Sequence, residues 1–146
     1  MQKKERFKPF SAVFLILRRE GEILLLRRYN TGWQDGHYSV IAGHLDGGET
    51  TKQAISREAK EEANIDLKIE NLKVVYVMHR RKLDREYFDV YLTADKWEGE
   101  IRNLEQDKHD DLSWFAYDHL PDNLLPEVKL ALKNIENGTF YGEFGW

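Results

Sequence analysis

Alternating runs of apolar and polar residues predict β-structure over the first third of the chain. Two runs rich in leucine and β-branched residues, Ala12–Leu17 and Ile23–Leu26, flank the polar turn Arg19–Glu22 and so predict a β-hairpin. The next stretch is rich in glycine, asparagine and aspartate, which is typical of a loop. After this loop, Ser39–Ala42 is a candidate for a short strand, and a glycine-rich loop follows it.

A helix is predicted immediately after the glycine-rich loop. Thr50 and Gln53 have the spacing of a capping box, in which each side chain satisfies a backbone group of the other residue. Asn64 lies where the helix should end, because asparagine readily takes the left-handed conformation that follows a helix. We therefore predict a helix from about Thr50 to Ala63. Its small apolar residues fall on one stripe, which suits close packing against a sheet.

The second half of the chain also contains predicted strands and a predicted helix. Strands are predicted at Lys73–His79, Tyr87–Ala94 and Leu112–Tyr117, where valine, tyrosine and leucine are frequent. Apolar residues recur at helical spacing from Pro126 to about Glu136. The order of elements predicts one α/β or α+β domain over residues 1–146, with a mixed β-sheet flanked by helices.

Composition narrows the class of protein. The 146 residues include 22 basic and 26 acidic ones, and the net charge of −4 argues against a protein that coats nucleic acid. The absence of cysteine leaves no disulfide or cysteine-based zinc site and fits a reducing compartment. The longest apolar run, Ala12–Leu17, is far shorter than the roughly 20 residues that cross a bilayer, and the charged N-terminus is unlike a signal peptide. We therefore expect a cytoplasmic protein with no membrane partner.

Three glutamates crowd the last turns of the first predicted helix. With about 100° per residue, Glu58, Glu61 and Glu62 all fall on one face. Like charges at these spacings destabilise a helix, and the negative end of the helix dipole adds to the cost. A solvated acidic face is the ordinary explanation. The preceding glycine-rich loop, however, offers backbone groups to the same region, which favours a site for a hard cation such as Mg²⁺ that also contacts substrate phosphates.

The loop and the helix together resemble the Nudix box, the signature of a family of hydrolases. The box runs from a glycine through a glutamate to Arg-Glu and then Glu-Glu at fixed spacings, and it ends with a glycine and an apolar residue. Its first glycine and its charged positions are filled here by Gly43, Glu49, Arg57, Glu58, Glu61 and Glu62. Two positions depart from the pattern, because Ala59 is small for the apolar site and Asn64 replaces the last glycine.

This resemblance implies an α/β/α sandwich and an enzyme that hydrolyses a pyrophosphate bond in a nucleoside diphosphate linked to another moiety. The cofactor it implies is Mg²⁺, with Mn²⁺ as a substitute. Glu58, Glu61 and Glu62 would bind the metal and activate water, and the choice of general base among them stays open.

Four more residues take supporting roles by the same resemblance. Arg57 and Glu49 are expected to pair and to orient the glutamates. The main-chain carbonyl of Ala42 is expected to be a metal ligand. Gly43 is expected to serve the backbone geometry beside it.

A further metal carboxylate is expected from a loop beyond the box, where Glu98, Glu100 and Glu105 are the candidates. The MutT-like branch of the family cleaves nucleoside triphosphates, including oxidised purine nucleotides. Its members carry a sequence similar to Trp97–Glu100 of this chain, Trp-Glu-Gly-Glu, with the metal ligand at the last glutamate. The resemblance therefore points to Glu100, and the alternative is a solvated loop glutamate.

Substrate contacts are predicted at three positions. Arg28 resembles an arginine that contacts substrate phosphate in the MutT-like branch, and Asn123 resembles an asparagine that hydrogen-bonds the purine. An ordinary surface arginine and a turn asparagine are the alternatives. His44, inside the box loop, is the one histidine expected near the substrate.

Several functions remain open at this point. The first is a nucleoside triphosphate pyrophosphohydrolase, which has a small-molecule nucleotide as its substrate. The second is the same chemistry on ADP-ribose, a dinucleoside polyphosphate or the 5′ end of RNA. A basic cluster keeps RNA among these alternatives, and it consists of Arg80, Arg81, Lys82 and Arg85. A non-catalytic nucleotide-binding module is disfavoured because every box carboxylate is kept. The aromatic C-terminus suits either the cover of an apolar patch or a homodimer contact.

Overall fold

Strands and helices are mixed along the chain, as the sequence predicts. The computed structural model describes residues 3–146. The strands are β1 Phe10–Ile16, β2 Arg18–Arg19, β3 Glu22–Arg28, β4 Tyr38–Ser39, β5 Ile41–His44, β6 Leu72–Lys82, β7 Arg85–Ala94, β8 His109–Ala116 and β9 Tyr141–Phe144. The helices are α1 Thr51–Ala63 and α2 Pro126–Glu136, with a short 3₁₀ turn at Ile69–Asn71. Neither α-helix in this described range is long and apolar enough to cross a bilayer.

The strands form two sheets. The larger sheet has the order β5-β1-β7-β6-β9, in which β1 runs parallel to β7 and antiparallel to β5. In the smaller sheet, β3 pairs antiparallel with β2, β4 and β8. The larger sheet is therefore mixed, which confirms the predicted fold class.

Side-chain alternation along β1 builds two cores, one on each face of the larger sheet. Val13 and Leu15 face one way and join the core that contains the apolar stripe of α1. Phe14 and Ile16 face the other way and join the core that contains Val128 of α2. The sheet is thus enclosed between the two helices, and α1 packs directly on β5 and β1.

The ends of α1 confirm the capping residues that the sequence predicts. The Thr50 hydroxyl accepts from the Gln53 N–H at 3.1 Å, and the Gln53 side chain accepts from the Thr50 N–H at 2.9 Å. Asn64 takes the left-handed conformation with φ 61° and ψ 30°. Its side-chain amide also donates to the carbonyl of Glu100 at 2.9 Å, a bond that the glycine of the family pattern could not make.

The first predicted hairpin is only partly correct. Its turn is present between β2 and β3, but most of the run Ala12–Leu17 lies in β1, which pairs with β5 and β7 in the other sheet. Because β1 is buried on both faces, its apolar run carries no information about which strand pairs with it. The predicted strand Ser39–Ala42 is likewise divided between β4 and β5.

The C-terminal strand β9 is absent from the sequence prediction. It runs parallel to β6 and forms the edge of the larger sheet. The Trp146 indole N–H donates to the carbonyl of His79 at 3.0 Å, and the Trp146 and His79 rings contact each other. The end of the chain is therefore fixed along the outer side of β6.

Candidate metal and catalytic site

Helix α1 approaches β5 so closely that a glutamate side chain lies against the strand backbone. A Cβ atom added at Gly43 would overlap the carboxyl group and Cγ of Glu58. Gly43 is not among the residues with positive φ, so its backbone conformation is open to other residues. Glycine is required there to make space for Glu58. This corrects the expectation that Gly43 serves the backbone geometry.

Arg57 connects the glycine-rich loop to the acidic face of α1. Its guanidinium donates to Glu49 through Nε at 3.1 Å and Nη2 at 2.6 Å, so the pair expected from the sequence is present. Nη1 donates to Glu58 at 2.8 Å and contacts Glu61 at 3.5 Å. The hydrogen bonds from Arg57 hold the pKa of the Glu49 carboxyl below its ordinary value. One cation thus orients three carboxylates.

Glu62 is the most enclosed carboxylate of the helix, and its side chain is only 12% exposed. One oxygen lies 3.7 Å from Nε2 of His109. The other oxygen, Oε2, is buried and has no hydrogen-bond partner in the described part of the chain. Burial raises the pKa of Glu62, and the contact with His109 opposes that rise only in part.

Glu58 lies beside Glu62 and is also poorly solvated. Burial, reinforced by the negative charge of Glu62, raises the pKa of Glu58 to about 7, although Arg57 opposes the rise. Two nearby carboxylates that both resist ionisation indicate missing positive charge, which a divalent cation would supply.

The residues brought together here fit a hard divalent cation. Glu58 and Glu62 provide oxygen donors, and the main chain of Ala42 directly precedes Gly43, against which the Glu58 side chain lies. Mg²⁺ prefers such oxygen ligands and keeps several waters. Glu61 lies apart, with its side chain 54% exposed. Within residues 3–146, no three acidic or histidine side chains converge on one point as they stand.

A pH-dependent stability follows from the pKa of Glu58. A carboxyl whose pKa rises from 4.5 to about 7 on folding stabilises the fold at low pH, and this stability is lost as pH rises through 7. Without metal, the free energy of unfolding should therefore fall by on the order of 3 kcal/mol between pH 4.5 and 8. Thermal unfolding in EDTA across this range measures the effect. Glu58→Gln should reduce the slope, because only Glu62, whose pKa is also raised by burial, still contributes with this sign. An unchanged slope in that variant would contradict the assignment.

The loop after β7 places a different glutamate beside Glu62 than the sequence predicts. Leu104, the residue before Glu105, donates its backbone N–H to the carbonyl of Glu62 at 3.0 Å. Burial raises the pKa of Glu62, and the negative charge of Glu105 raises it further. Glu100 instead lies at the end of α1, where its carbonyl accepts from Asn64. Glu98 pairs with Asp66 through two backbone hydrogen bonds. Of the three candidates for the distal carboxylate, Glu105 is therefore the one whose charge acts on Glu62.

A cavity of about 430 Å³ opens beside these carboxylates. Glu62, Ala42 and Gly43 lie at its metal end, and both Arg28 and His44 line it, as expected for substrate contacts. Its volume lies within the roughly 300–1,000 Å³ typical of ligand pockets. The cavity therefore joins the acidic site to a space that can hold an organic group.

Arg28 is held in this cavity wall by the loop that follows β3. Its guanidinium donates to the carbonyl of Trp33 at 2.7 Å and to the hydroxyl of Thr31 at 2.8 Å. Asp35 in turn accepts from the Thr31 hydroxyl at 2.6 Å. The Arg28 guanidinium also lies 4.8 Å from the centre of the Trp33 ring. A positive charge is thus fixed in position opposite Glu62.

Two expectations about the substrate site change. Asn123 does not line the cavity, because its side-chain amide donates to the carbonyl of Gly36 at 2.7 Å and ties two loops together. His109 does line the cavity and contacts Glu62, so His44 is not the only histidine there. Asn103 holds His109 in place by donating to its carbonyl at 2.6 Å. No spacing in the sequence indicates the contact between His109 and Glu62.

The predicted basic cluster divides into one buried arginine and three surface cations. Arg80 is only 6% exposed and pairs through two hydrogen bonds with the fully buried Asp89. The other three cations each lie over an aromatic ring near the β6–β7 turn. These pairs are Arg81 with Trp146, Lys82 with Trp33 and Arg85 with Phe10. Basic and aromatic groups therefore alternate on the surface beside the cavity.

Comparison with known sequences gives a consistent result. Residues 8–135 match the family model described as the NUDIX domain. Two curated relatives are named NAD-capped RNA hydrolase NudC. The protein from Erwinia tasmaniensis is 35% identical over 138 residues, and that from Photorhabdus laumondii is 36% identical over 135 residues. They cover 93% and 91% of this chain but only 49% of their own lengths, so the chain spans about half of these relatives.

Solved structures share the fold. A MutT NUDIX hydrolase from Burkholderia pseudomallei superimposes with a TM-score of 0.80 at 28% identity, covering 87% of this chain and 98% of that one. A MutT protein from Methanosarcina mazei gives a TM-score of 0.77 at 18% identity, covering 91% and 97% of the two chains. The second similarity is one of fold alone.

Proposed function

The chain belongs to the Nudix family of pyrophosphohydrolases, and from that premise we propose that it cleaves the diphosphate between two nucleosides, as in NAD or an NAD cap on RNA. The observation that supports the chemistry is the buried Glu62 carboxylate, whose Oε2 has no partner among residues 3–146 and lies beside the poorly ionised Glu58. This arrangement suits a site completed by Mg²⁺, or by Mn²⁺ in its place.

A divalent cation bound by Glu58, Glu62 and the main chain of Ala42 would supply positive charge against the diphosphate oxygens. Arg28, fixed in the cavity wall, is placed to bind a phosphate of the same group. A carboxylate of α1 takes the proton from the attacking water, and Arg57 orients Glu58 for this role through its hydrogen bond at 2.8 Å. Water adds to one phosphorus, the bridging P–O bond breaks, and two phosphomonoesters leave.

The substrate class rests on the relatives and on the surface beside the cavity. The curated relatives are named as NAD-capped RNA hydrolases, although the chain spans only about half their length. A cavity of about 430 Å³ has room for an organic group next to the diphosphate site. The three surface cations over aromatic rings would favour a nucleic-acid strand leaving the cavity, since phosphates and stacked bases both find partners there.

A nucleoside triphosphate is the second candidate substrate. It is favoured by the similarity to the MutT hydrolase from Burkholderia pseudomallei, which this chain matches over 98% of that chain. The same carboxylates would serve either reaction, so the distinction depends on the group held in the cavity.

A substrate panel with Mg²⁺ distinguishes the two proposals. It should contain NAD, NAD-capped RNA, canonical and oxidised nucleoside triphosphates, ADP-ribose, dinucleoside polyphosphates and triphosphorylated RNA. We expect the highest kcat/KM with NAD or NAD-capped RNA, with nicotinamide mononucleotide and a 5′-monophosphate end as the products. A higher kcat/KM with triphosphates, giving pyrophosphate, would establish the second candidate instead.

Glu105 is proposed as the distal metal carboxylate. Glu105→Gln should raise the Mg²⁺ concentration needed for half-maximal activity by about tenfold or more, because a carboxylate near the cation is lost. Titration of activity with Mg²⁺ measures this shift. Glu100→Gln is the matched comparison and should leave the Mg²⁺ requirement unchanged. The reverse result would restore the original expectation from the sequence.

A further inference from the structure

A second buried carboxylate faces the cavity away from the metal end. Glu127 lies in the first turn of α2, is only 5% exposed and lines the cavity. In the described part of the chain, its carboxylate accepts no side-chain hydrogen bond and forms no ion pair within 4 Å. Its oxygens are not among the fully enclosed atoms that lack a partner in this part of the chain, so they open to the cavity, where a donor group of a ligand can reach them.

The cations nearest to Glu127 are already engaged elsewhere. Arg80 is bonded to Asp89 through two nitrogens, and its guanidinium lies 4.0 Å from the centre of the Tyr87 ring. Lys82 lies with its Nζ 3.9 Å from the centre of the Trp33 ring. These two cations still act on Glu127 through space, which makes a second metal ion there unfavourable.

The surroundings of Glu127 select the kind of ligand group. Phe14, Val40 and Leu125 give the cavity an apolar wall on which a flat ring can pack. A phosphate would be repelled by the carboxylate, and an apolar ring alone would leave it unsatisfied. A heterocycle with an N–H donor on its edge satisfies both surfaces.

We propose that Glu127 selects substrates by accepting a hydrogen bond from an amino or amide group on the heterocycle held in the cavity. This inference rests on the proposed function, since it assigns a base to the same cavity. In NAD the adenine amino group and the nicotinamide carboxamide are both donors of this kind. Glu127 acts on binding and specificity, and the chemistry remains with the carboxylates of α1.

Binding measured in EDTA tests the proposal separately from catalysis. The probes are two matched pairs, AMP with purine riboside 5′-monophosphate, and nicotinamide mononucleotide with nicotinic acid mononucleotide. In each pair only the first member has the amino or amide donor. We expect the wild-type protein to bind the donor member of at least one pair about tenfold more tightly, as for a hydrogen bond to a charged group.

Glu127→Ala should remove this preference, and Glu127→Gln, which keeps a neutral acceptor, should reduce it. Glu136→Ala is the control, because Glu136 is on the same helix and its side chain is 59% exposed. With a cleaved substrate that carries the donor, Glu127→Ala should raise KM and leave kcat near its wild-type value.

Two outcomes would overturn the proposal. One is a wild-type protein that does not distinguish the members of either pair. The other is a preference that Glu127→Ala retains. The proposed function is tested separately by the substrate panel. It fails if the wild-type protein with Mg²⁺ hydrolyses neither NAD nor NAD-capped RNA.

Discussion

Glu62→Gln is expected to lower kcat by about a thousandfold, because loss of cation charge at the reacting phosphate is worth several kcal/mol. Glutamine has nearly the same shape, so the packing between α1, His109 and Ala42 should survive. The variant places a neutral amide where a buried carboxylate has one oxygen, Oε2, without a partner among the residues that the structure describes. Its thermal stability in EDTA should therefore equal or exceed that of the wild-type protein, while activity is lost.

Steady-state kinetics at several Mg²⁺ concentrations and thermal unfolding in EDTA measure these two effects. Glu70→Gln, on the 3₁₀ turn outside the cavity, is the control and should change neither of them. Near wild-type kcat at saturating Mg²⁺ in the Glu62→Gln protein would show that the cation is held elsewhere.

Gly43→Ala is expected to produce the second large loss, about a hundredfold in kcat, because misplacing a catalytic group by about 1 Å has an effect of this size. The new methyl group would occupy the position of the Glu58 carboxyl group and Cγ, so that side chain must move. The backbone of Gly43 has no positive φ, and the fold should therefore tolerate alanine. The raised pKa of Glu58 should also fall as its carboxyl group becomes more exposed to water.

Gly21→Ala serves as the comparison, because it should lower stability and leave kcat unchanged, whereas Gly43→Ala should lower kcat and leave the fold intact. Gly21 has φ 78° in the turn between β2 and β3, and nothing lies within 4 Å of an added Cβ. Alanine there should cost about 1 kcal/mol of stability through backbone strain and leave kcat unchanged. Paired measurements of thermal stability and kcat separate the two glycines. Equal losses of stability in both variants, with activity retained, would contradict the role assigned to Gly43.

The sequence predicts helix α1 and its caps well because the information is local. The capping box of Thr50, the left-handed Asn64 and the spacing of the glutamates all act within one helix and its loop. The pair between Arg57 and Glu49 is also local, since it spans two turns of helix and the loop before it.

The errors concern residues that meet only through tertiary structure. Glu100 and Glu105 lie in one irregular loop, and the backbone bond from Leu104 in that loop to the carbonyl of Glu62 is not indicated by any local spacing. Arg80 belongs to a basic run, yet strand alternation turns it inward to Asp89 while Arg81 faces Trp146. His109 and Glu127 line the cavity because of the packing of β8 and α2, and no local spacing indicates either contact.

The short strand β9 has a consequence for the solubility of the protein. Strand β6 is 11 residues long, and β9 pairs with the part Val77–Arg80, whose outer backbone groups would be unpaired without it. Such an edge is a template on which further copies of the chain can pair and aggregate. The outer edge that replaces it is only four residues long and includes Gly142 and Glu143, which makes it a poor template. A tag or fusion at the C-terminus should therefore follow a linker that leaves Trp146 seated on His79, since loss of this strand would promote self-association before it affected the distant catalytic carboxylates.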